Sequence, residues 1–241
     1  MARQRADLLL VARGLAESRA KAQAAIDAGG VTADGVAVTK ASQLIEVDAA
    51  LTLAPPHPWV SRAGVKLAFA LDRFAVSPAG RHCLDIGAST GGFTEVLLAR
   101  GAAHVLAVDV GRAQLHASLR ADPRVTVREG TDARALTAAD MAAAPSLIVC
   151  DASFIGLEKV LPAPLGLAAP AATLIALVKP QYETGPGRKG ALLSRAMAFQ
   201  IAEALAHRLD GLNGFAVRAL TDSPITGGDG APEFLLLATR G

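Results

Sequence analysis

Leu84-Asp85-Ile86-Gly87-Ala88-Ser89-Thr90-Gly91-Gly92-Phe93 is the stretch on which the reading of the fold turns. The apolar run Cys83–Ile86 ends in a glycine-rich turn, and a helix pattern follows from Phe93 to Arg100. Strand, turn and helix in that order leave the backbone amides at the helix start facing a ligand, with no Cβ in the way at the glycines. The spacing Gly87-x-x-x-Gly91-Gly92 departs from the G-x-G-x-x-G dinucleotide fingerprint, so the turn alone is a weak guide to the ligand.

Outward from the turn the pattern repeats. Apolar runs follow at Val105–Val108, Val125–Val127, Leu147–Cys150, Leu174–Val178, Phe215–Leu220 and Phe234–Ala238, with helix patterns such as Ile155–Leu161 and Leu192–Leu209 between them. Alternation of this kind predicts an α/β fold with a mostly parallel sheet covered on both faces. Seven strands, the last following closely on the sixth, resemble the Rossmann-like sheet of methyltransferases, in which ligands bind at the carboxyl ends of the strands. Acids stand where such a ligand would lie: Asp85 before the turn, Asp109 closing the next strand, and Asp132 after the third. S-adenosyl-L-methionine asks for such a set, with one acid near its amino-acid part, one for the ribose and one for the adenine amino group. A helix cap or a surface charge would also account for Asp132. Asp151 and Lys179 end two further apolar strands, where burial gives no reason for a charge.

Composition narrows the classes. Of 241 residues 51% are apolar, but 52 are alanine, and without them the chain has an ordinary globular composition. Net charge +2 with 19% charged residues argues against a disordered chain. The basic residues are 18 Arg and six Lys, and the lysines stand out because Arg cannot shed its proton. No signal-peptide pattern opens the chain, and prolines interrupt its longest uncharged stretch, Val160–Val178, so a cytoplasmic protein without a spanning helix is expected. Cys83 and Cys150 sit in apolar runs and read as buried thiols; neither a disulfide framework nor a metal site is expected.

Pro55-Pro56-His57-Pro58 reads as an extended connector. The expected organisation is therefore a small α+β domain over 1–54, a linker over 55–61 and the α/β domain over 62–241. In the first part, helix patterns at Ala6–Arg13 and Glu17–Ala28 precede short strands around a turn at Asp34-Gly35, with Gly29-Gly30 as the stop of the second helix. Arg13-Gly14-Leu15, Ser18-Arg19-Ala20-Lys21-Ala22-Gln23, Gly30-Val31, Asp34-Gly35, Val38 and Lys40 together resemble the S4 RNA-binding domain. The resemblance implies RNA docking through Arg13, Arg19, Lys21 and Lys40. Charge alone is a modest argument, since residues 1–25 carry five basic and two acidic side chains, which a solvated helix face also explains.

The resemblance extends over nearly the whole chain. The turn Gly87–Phe93, Asp151-x-Ser153-Phe154, Lys179-Pro180-Gln181, Ser223-Pro224-Ile225 with Glu233-Phe234-Leu235, and Ser61-Arg62-Ala63-Gly64-Val65-Lys66-Leu67 resemble the haemolysin A (TlyA) family among the FtsJ-like ribose 2′-O-methyltransferases. It implies a catalytic tetrad of Lys66, Asp151, Lys179 and Glu233, with S-adenosyl-L-methionine held by Asp85, Gly87, Ser89, Thr90, Gly91, Gly92, Phe93, Asp109 and Asp132. Asp132 departs from the family pattern, which has asparagine there. The implied substrate is cytidine in ribosomal RNA. The chain's outline, from just before the S4 motif to just after the last strand, is that of shorter members acting on the large subunit.

A ribose hydroxyl is a poor nucleophile and a sulfonium methyl is already activated, so such a site must align the two and remove a proton. A lysine does this in its neutral form, which burial and a neighbouring ammonium favour. The expected roles are Lys179 as proton acceptor, Asp151 orienting it, and Lys66 and Glu233 positioning the hydroxyl. The competing readings are a pore-forming toxin, a non-catalytic RNA-binding protein and a small-molecule methyltransferase. No secretion signal or basic amphipathic segment supports the first. Four filled tetrad positions argue against the second, and an RNA-docking module argues against the third.

Overall fold

The computed structural model describes residues 2–27, 30–53, 57–183, 193–227 and 230–241. Two compact units divide at Pro58/Trp59.

The first unit runs β1 (Arg3–Arg5), α1 (Ala6–Ala12), α2 (Arg19–Asp27), β2 (Val31–Ala33), β3 (Val36–Ala37), β4 (Leu44–Glu46) and β5 (Leu51–Leu53). Ser18 starts α2 by accepting a hydrogen bond from the Lys21 N–H at 3.3 Å, and the expected glycine stop lies partly outside the described residues. Asp34 and Gly35 both take left-handed φ, 49° and 78°, which closes β2 and β3 into a two-residue hairpin. The apolar faces of α1 and α2 meet over Leu9, Leu10, Ala22, Ile26, Val31 and Val38. Leu44-Ile45 alternates with polar residues in the same way as the hairpin strands Val31 and Val36. Yet β4 pairs antiparallel with β1, while β2, β3 and β5 form a separate sheet. Three residues, Arg-Gln-Arg, are too short and polar a run to announce β1.

The second unit runs α3 (Ala63–Arg73), β6 (His82–Ile86), α4 (Gly92–Ala99), β7 (His104–Asp109), α5 (Ala117–Arg120), β8 (Val125–Glu129), β9 (Leu147–Cys150), α6 (Leu157–Val160), α7 (Pro162–Gly166), β10 (Thr173–Val178), α8 (Pro180–Glu183), α9 (Arg195–Leu209), β11 (Phe215–Asp222) and β12 (Phe234–Arg240). The seven strands lie in the order β11-β12-β10-β9-β6-β7-β8, with β12 antiparallel to both neighbours. Strands buried on both faces read as unbroken apolar runs. In β9, Leu147 and Val149 face the layer that holds α3 and α4, and Ile148 and Cys150 face the one that holds α6, α7 and α9. Ala198, Ala202, Leu205 and Leu209 form the buried stripe of α9, at the spacing of one helix face. The strand order reverses between β6 and β9, which opens a crevice at their carboxyl ends.

Two helix expectations shift at their ends. Ile155–Leu161 holds one helix, but a short one, α6 (Leu157–Val160), and a further turn, α7, starts beyond it at Pro162. The segment Val160–Val178 does become helix followed by buried strand. Helix α9 starts at Arg195 under a Ser194 cap, and Leu192 lies outside the described residues. Both cysteines are buried and free, and burial pushes their thiols up to about 12.

Candidate active site

The glycine-rich turn leads from β6 into α4 at the edge of the crevice. Gly87 has φ 80°, and a Cβ there would lie 2.9 Å from the Ala152 backbone, so the turn and the loop after β9 touch only because the side chain is hydrogen. Between the strand ends is a cavity of about 540 Å³, whose wall includes Gly87, Ser89, Asp109, Gln114, Asp132 and Asp151.

Three acids serve this region differently. Asp85 is fully buried beneath the turn, with Oδ2 accepting from Thr94 Oγ1 at 2.6 Å and Oδ1 without a partner among the described residues. Burial, against the Thr94 bond and with help from nearby Asp151, pushes its carboxyl up to about 7. Asp109 accepts from the Ser89 N–H at 2.8 Å and the Gly111 N–H at 2.7 Å, which pins the turn to the end of β7. Asp132 caps a short 3₁₀ turn and pairs with Arg134 at 2.5 Å, which lowers its pKa.

Beside the cavity two lysines are buried against carboxylates. Lys179, one residue past β10, lies 2.7 Å from Asp151 Oδ1 and donates to Ser153 Oγ at 2.7 Å and to the Asp151 carbonyl at 3.1 Å. Lys66 of α3 donates to Glu233 Oε2 at 2.5 Å, and both side chains are nearly inaccessible, at 7% and 4%. Antiparallel register pairs Val178 with Phe234, so the next positions at that edge are Lys179 and Glu233. The two ion pairs thus start from adjoining strand ends.

A cavity at the switch point of the β8-β7-β6-β9-β10-β12-β11 sheet, with buried lysine–carboxylate pairs at adjoining strand ends, accords with the sequence comparisons. The FtsJ-like methyltransferase profile matches residues 59–240 and the S4 domain profile matches residues 4–51. The chain belongs to the FtsJ-like methyltransferase family. A "16S/23S rRNA (cytidine-2'-O)-methyltransferase TlyA" of Mycobacterium tuberculosis is 46% identical, covering 97% of this chain and 89% of that protein. "Hemolysin A" of Brachyspira hyodysenteriae is 37% identical, covering 96% and 98%. A solved structure titled "Putative hemolysin from Streptococcus thermophilus" superposes with a TM-score of 0.75 at 36% identity, covering 100% of this chain and 89% of that one. Among the described residues no helix is long and apolar enough to cross a membrane.

Within the FtsJ-like domain the anticipated residues separate into layers. Gly87, Ser89, Asp109, Asp132 and Asp151 line the cavity, and Lys179 stands one layer behind, held by Asp151 and Ser153. Asp85, Gly91, Gly92 and Phe93 are buried behind the turn, and the Phe93 ring belongs to the core. Thr90 is exposed and absent from that wall. Reading by residue type missed Ser153, Gln114 and Phe154 on the wall. Phe154 is 88% exposed at φ 65° and leans on Tyr182, ring centres 5.2 Å apart. Its place three residues past the strand-ending Asp151 was the available signal for it.

The S4 unit ties its cations down. Arg13 donates to the Ala49 carbonyl at 2.6 Å and to the Val47 carbonyl, so its guanidinium braces the unit's own backbone. Arg19 and Arg5 both pair with buried Asp7, at 2.9 Å each, and Lys21 pairs with Glu17 one turn away. Lys40 is exposed and has no ion pair among the described residues.

Proposed function

We propose that this chain transfers the methyl group of S-adenosyl-L-methionine to the ribose 2′-hydroxyl of a cytidine in ribosomal RNA, a substrate that places its work in the cytoplasm. The observation that carries the reading is the pair of buried lysine–carboxylate contacts, Lys179–Asp151 and Lys66–Glu233, at adjoining strand ends beside the cavity. Charges removed from water at such cost are retained where they react or bind.

The residues present fit the donor. The cavity volume is that of a small-molecule site. The unpartnered buried Oδ1 of Asp85 leaves an acceptor under the turn, suited to the donor's amino-acid end. Asp109 spends one bond per carboxylate oxygen on backbone, so each oxygen keeps a lone pair for a ribose hydroxyl. Asp132 sits where the adenine amino group would lie, with Arg134 holding it. The donor supplies an activated methyl on a sulfonium. The chain's part is to hold the ribose hydroxyl in line with it and accept the hydroxyl proton at Lys179 Nζ, which first gives up one ammonium proton to solvent and acts as the neutral amine, with Asp151 and Ser153 fixing that amine and Lys66 and Glu233 positioning the hydroxyl.

RNA docking falls to the S4 unit, through Arg19, Lys21 and Lys40, with Arg13 bracing the surface that carries them. The test is a mass-spectrometric or reverse-transcription map of 2′-O-methyl sites on both ribosomal RNAs after incubation with protein and labelled donor. The expected result is label on a cytidine ribose, with the large-subunit and small-subunit arms showing which RNA is used. Label only on small molecules or protein overturns the reading.

A further inference from the structure

The cavity wall on the β7 side is shaped from behind by a carboxylate that sequence reading did not single out. Glu129, the last residue of β8, accepts from three consecutive backbone N–H groups: Ala113 to Oε2 at 2.8 Å, then Gln114 and Leu115 to Oε1 at 2.8 and 2.9 Å. Arg120 pairs with Oε2 at 2.8 Å. Three successive donors converge on one group only where the backbone curls tightly, and Ala113 sits in the left-handed region at φ 55°. These bonds, led by the Leu115 N–H and Arg120, hold the Glu129 carboxyl down at about 2.

The segment so held, 110–115, contributes Val110, Gly111 and Gln114 to the cavity wall. It is stitched to the β7 and β8 ends by Gly130 N–H to the Gly111 carbonyl at 2.7 Å and Thr131 N–H to the Asp109 carbonyl at 2.9 Å. Gly111 N–H in turn holds Asp109. Glu129 itself is absent from the wall.

The geometry points to Glu129 as a positioning residue for the methyl donor, its carboxylate folding segment 110–115 into the wall of the nucleoside half of the cavity before the donor arrives. This rests on the reading of the cavity as the donor site. Preorganisation of that kind acts on donor affinity and leaves the chemistry at Lys179 unchanged.

The decisive variant is Glu129→Gln, which keeps the shape but puts an NH2 where one backbone N–H needs an acceptor. Titration calorimetry with S-adenosylmethionine and steady-state kinetics on ribosomal RNA read the outcome. Expected is a rise of about tenfold in donor Kd and KM, the scale of a missing charge-assisted hydrogen bond, with kcat at saturating donor and KM for RNA unchanged. Arg120→Ala, which removes one exposed ion pair but leaves all three N–H bonds, should raise donor Kd less than Glu129→Gln does. Should Glu129→Gln not fold, Gln114→Ala removes a wall side chain without touching the loop backbone and should raise donor KM alone. Unchanged donor affinity in the folded variant, or a fall in kcat with donor affinity intact, overturns the assignment. Wild-type protein that binds no S-adenosylmethionine overturns the functional reading along with it.

Discussion

In the S4 unit the cations lie near the surface, and Arg13, Arg19 and Lys21 are tied to a neighbouring carboxylate or carbonyl: the side chains of Arg19 and Lys21 are 62% and 66% exposed. In the FtsJ-like unit Lys66 and Lys179 are equally paired but buried, at 7% and 9%. The same ammonium–carboxylate contact therefore does different things. In water it is worth about 0–1 kcal/mol and exchanges readily for an RNA phosphate. Out of water it is costly to break, and it fixes the position of the side chains it joins.

The first way to break that contrast is Lys179→Ala. Methyl transfer should fall by about 10²–10⁴-fold, the worth of a positioned proton acceptor, while donor binding by calorimetry stays intact; near-normal single-turnover incorporation would remove Lys179 from the chemistry. Next is Glu233→Ala, which strands a buried ammonium and should cost about 3–5 kcal/mol in denaturant unfolding. The double variant with Lys66→Met should recover much of that stability while remaining inactive, and no recovery would mean that the pair does not act as a unit.

A third prediction concerns pH. The buried carboxyl of Asp85 is raised to about 7, above its unfolded value near 4, so the folded state binds the proton more tightly. Stability from this group is full below about pH 4 and lost as pH climbs towards about 7, then flat. The melting temperature of wild-type protein should fall over that window relative to Asp85→Asn; parallel profiles would count against the burial argument. The smallest effects belong to the surface. Arg19→Ala, Lys21→Ala and Lys40→Ala should each weaken RNA binding modestly and lower the slope of log K against log salt by about 0.7–0.9 for each phosphate no longer neutralised. A variant with unchanged slope marks a side chain that meets no phosphate.

How much of this was legible locally follows from how each feature is encoded. The central strands announced themselves because burial on both faces leaves long apolar runs, and Asp151 and Lys179 showed as charges where those runs stop. Strand β1 did not, since Arg3–Arg5 is a short polar run whose partner, Leu44–Glu46, is about forty positions away, with Arg3 and Glu46 ion-paired across the two strands. Phe93 looked like a site residue from its place in the turn, but the helix that starts there directs it into the core. Glu129 gives no sign at all, because its three partners are main-chain groups that exist as a cluster only once Ala113 has turned.

The antiparallel insertion of β12 between β10 and β11 carries a consequence for synthesis. Parallel strands deliver their last residues to the reactive edge, whereas a reversed strand delivers the residue just before its first, and here that residue is Glu233. Its partner Lys66 was made 167 positions earlier. A ribosome that has translated as far as β11 has produced Asp151 and Lys179 but no counter-ion for Lys66. A pairing of such long sequence separation closes late, so Lys66 waits for this counter-ion until the last strand has been threaded between β10 and β11.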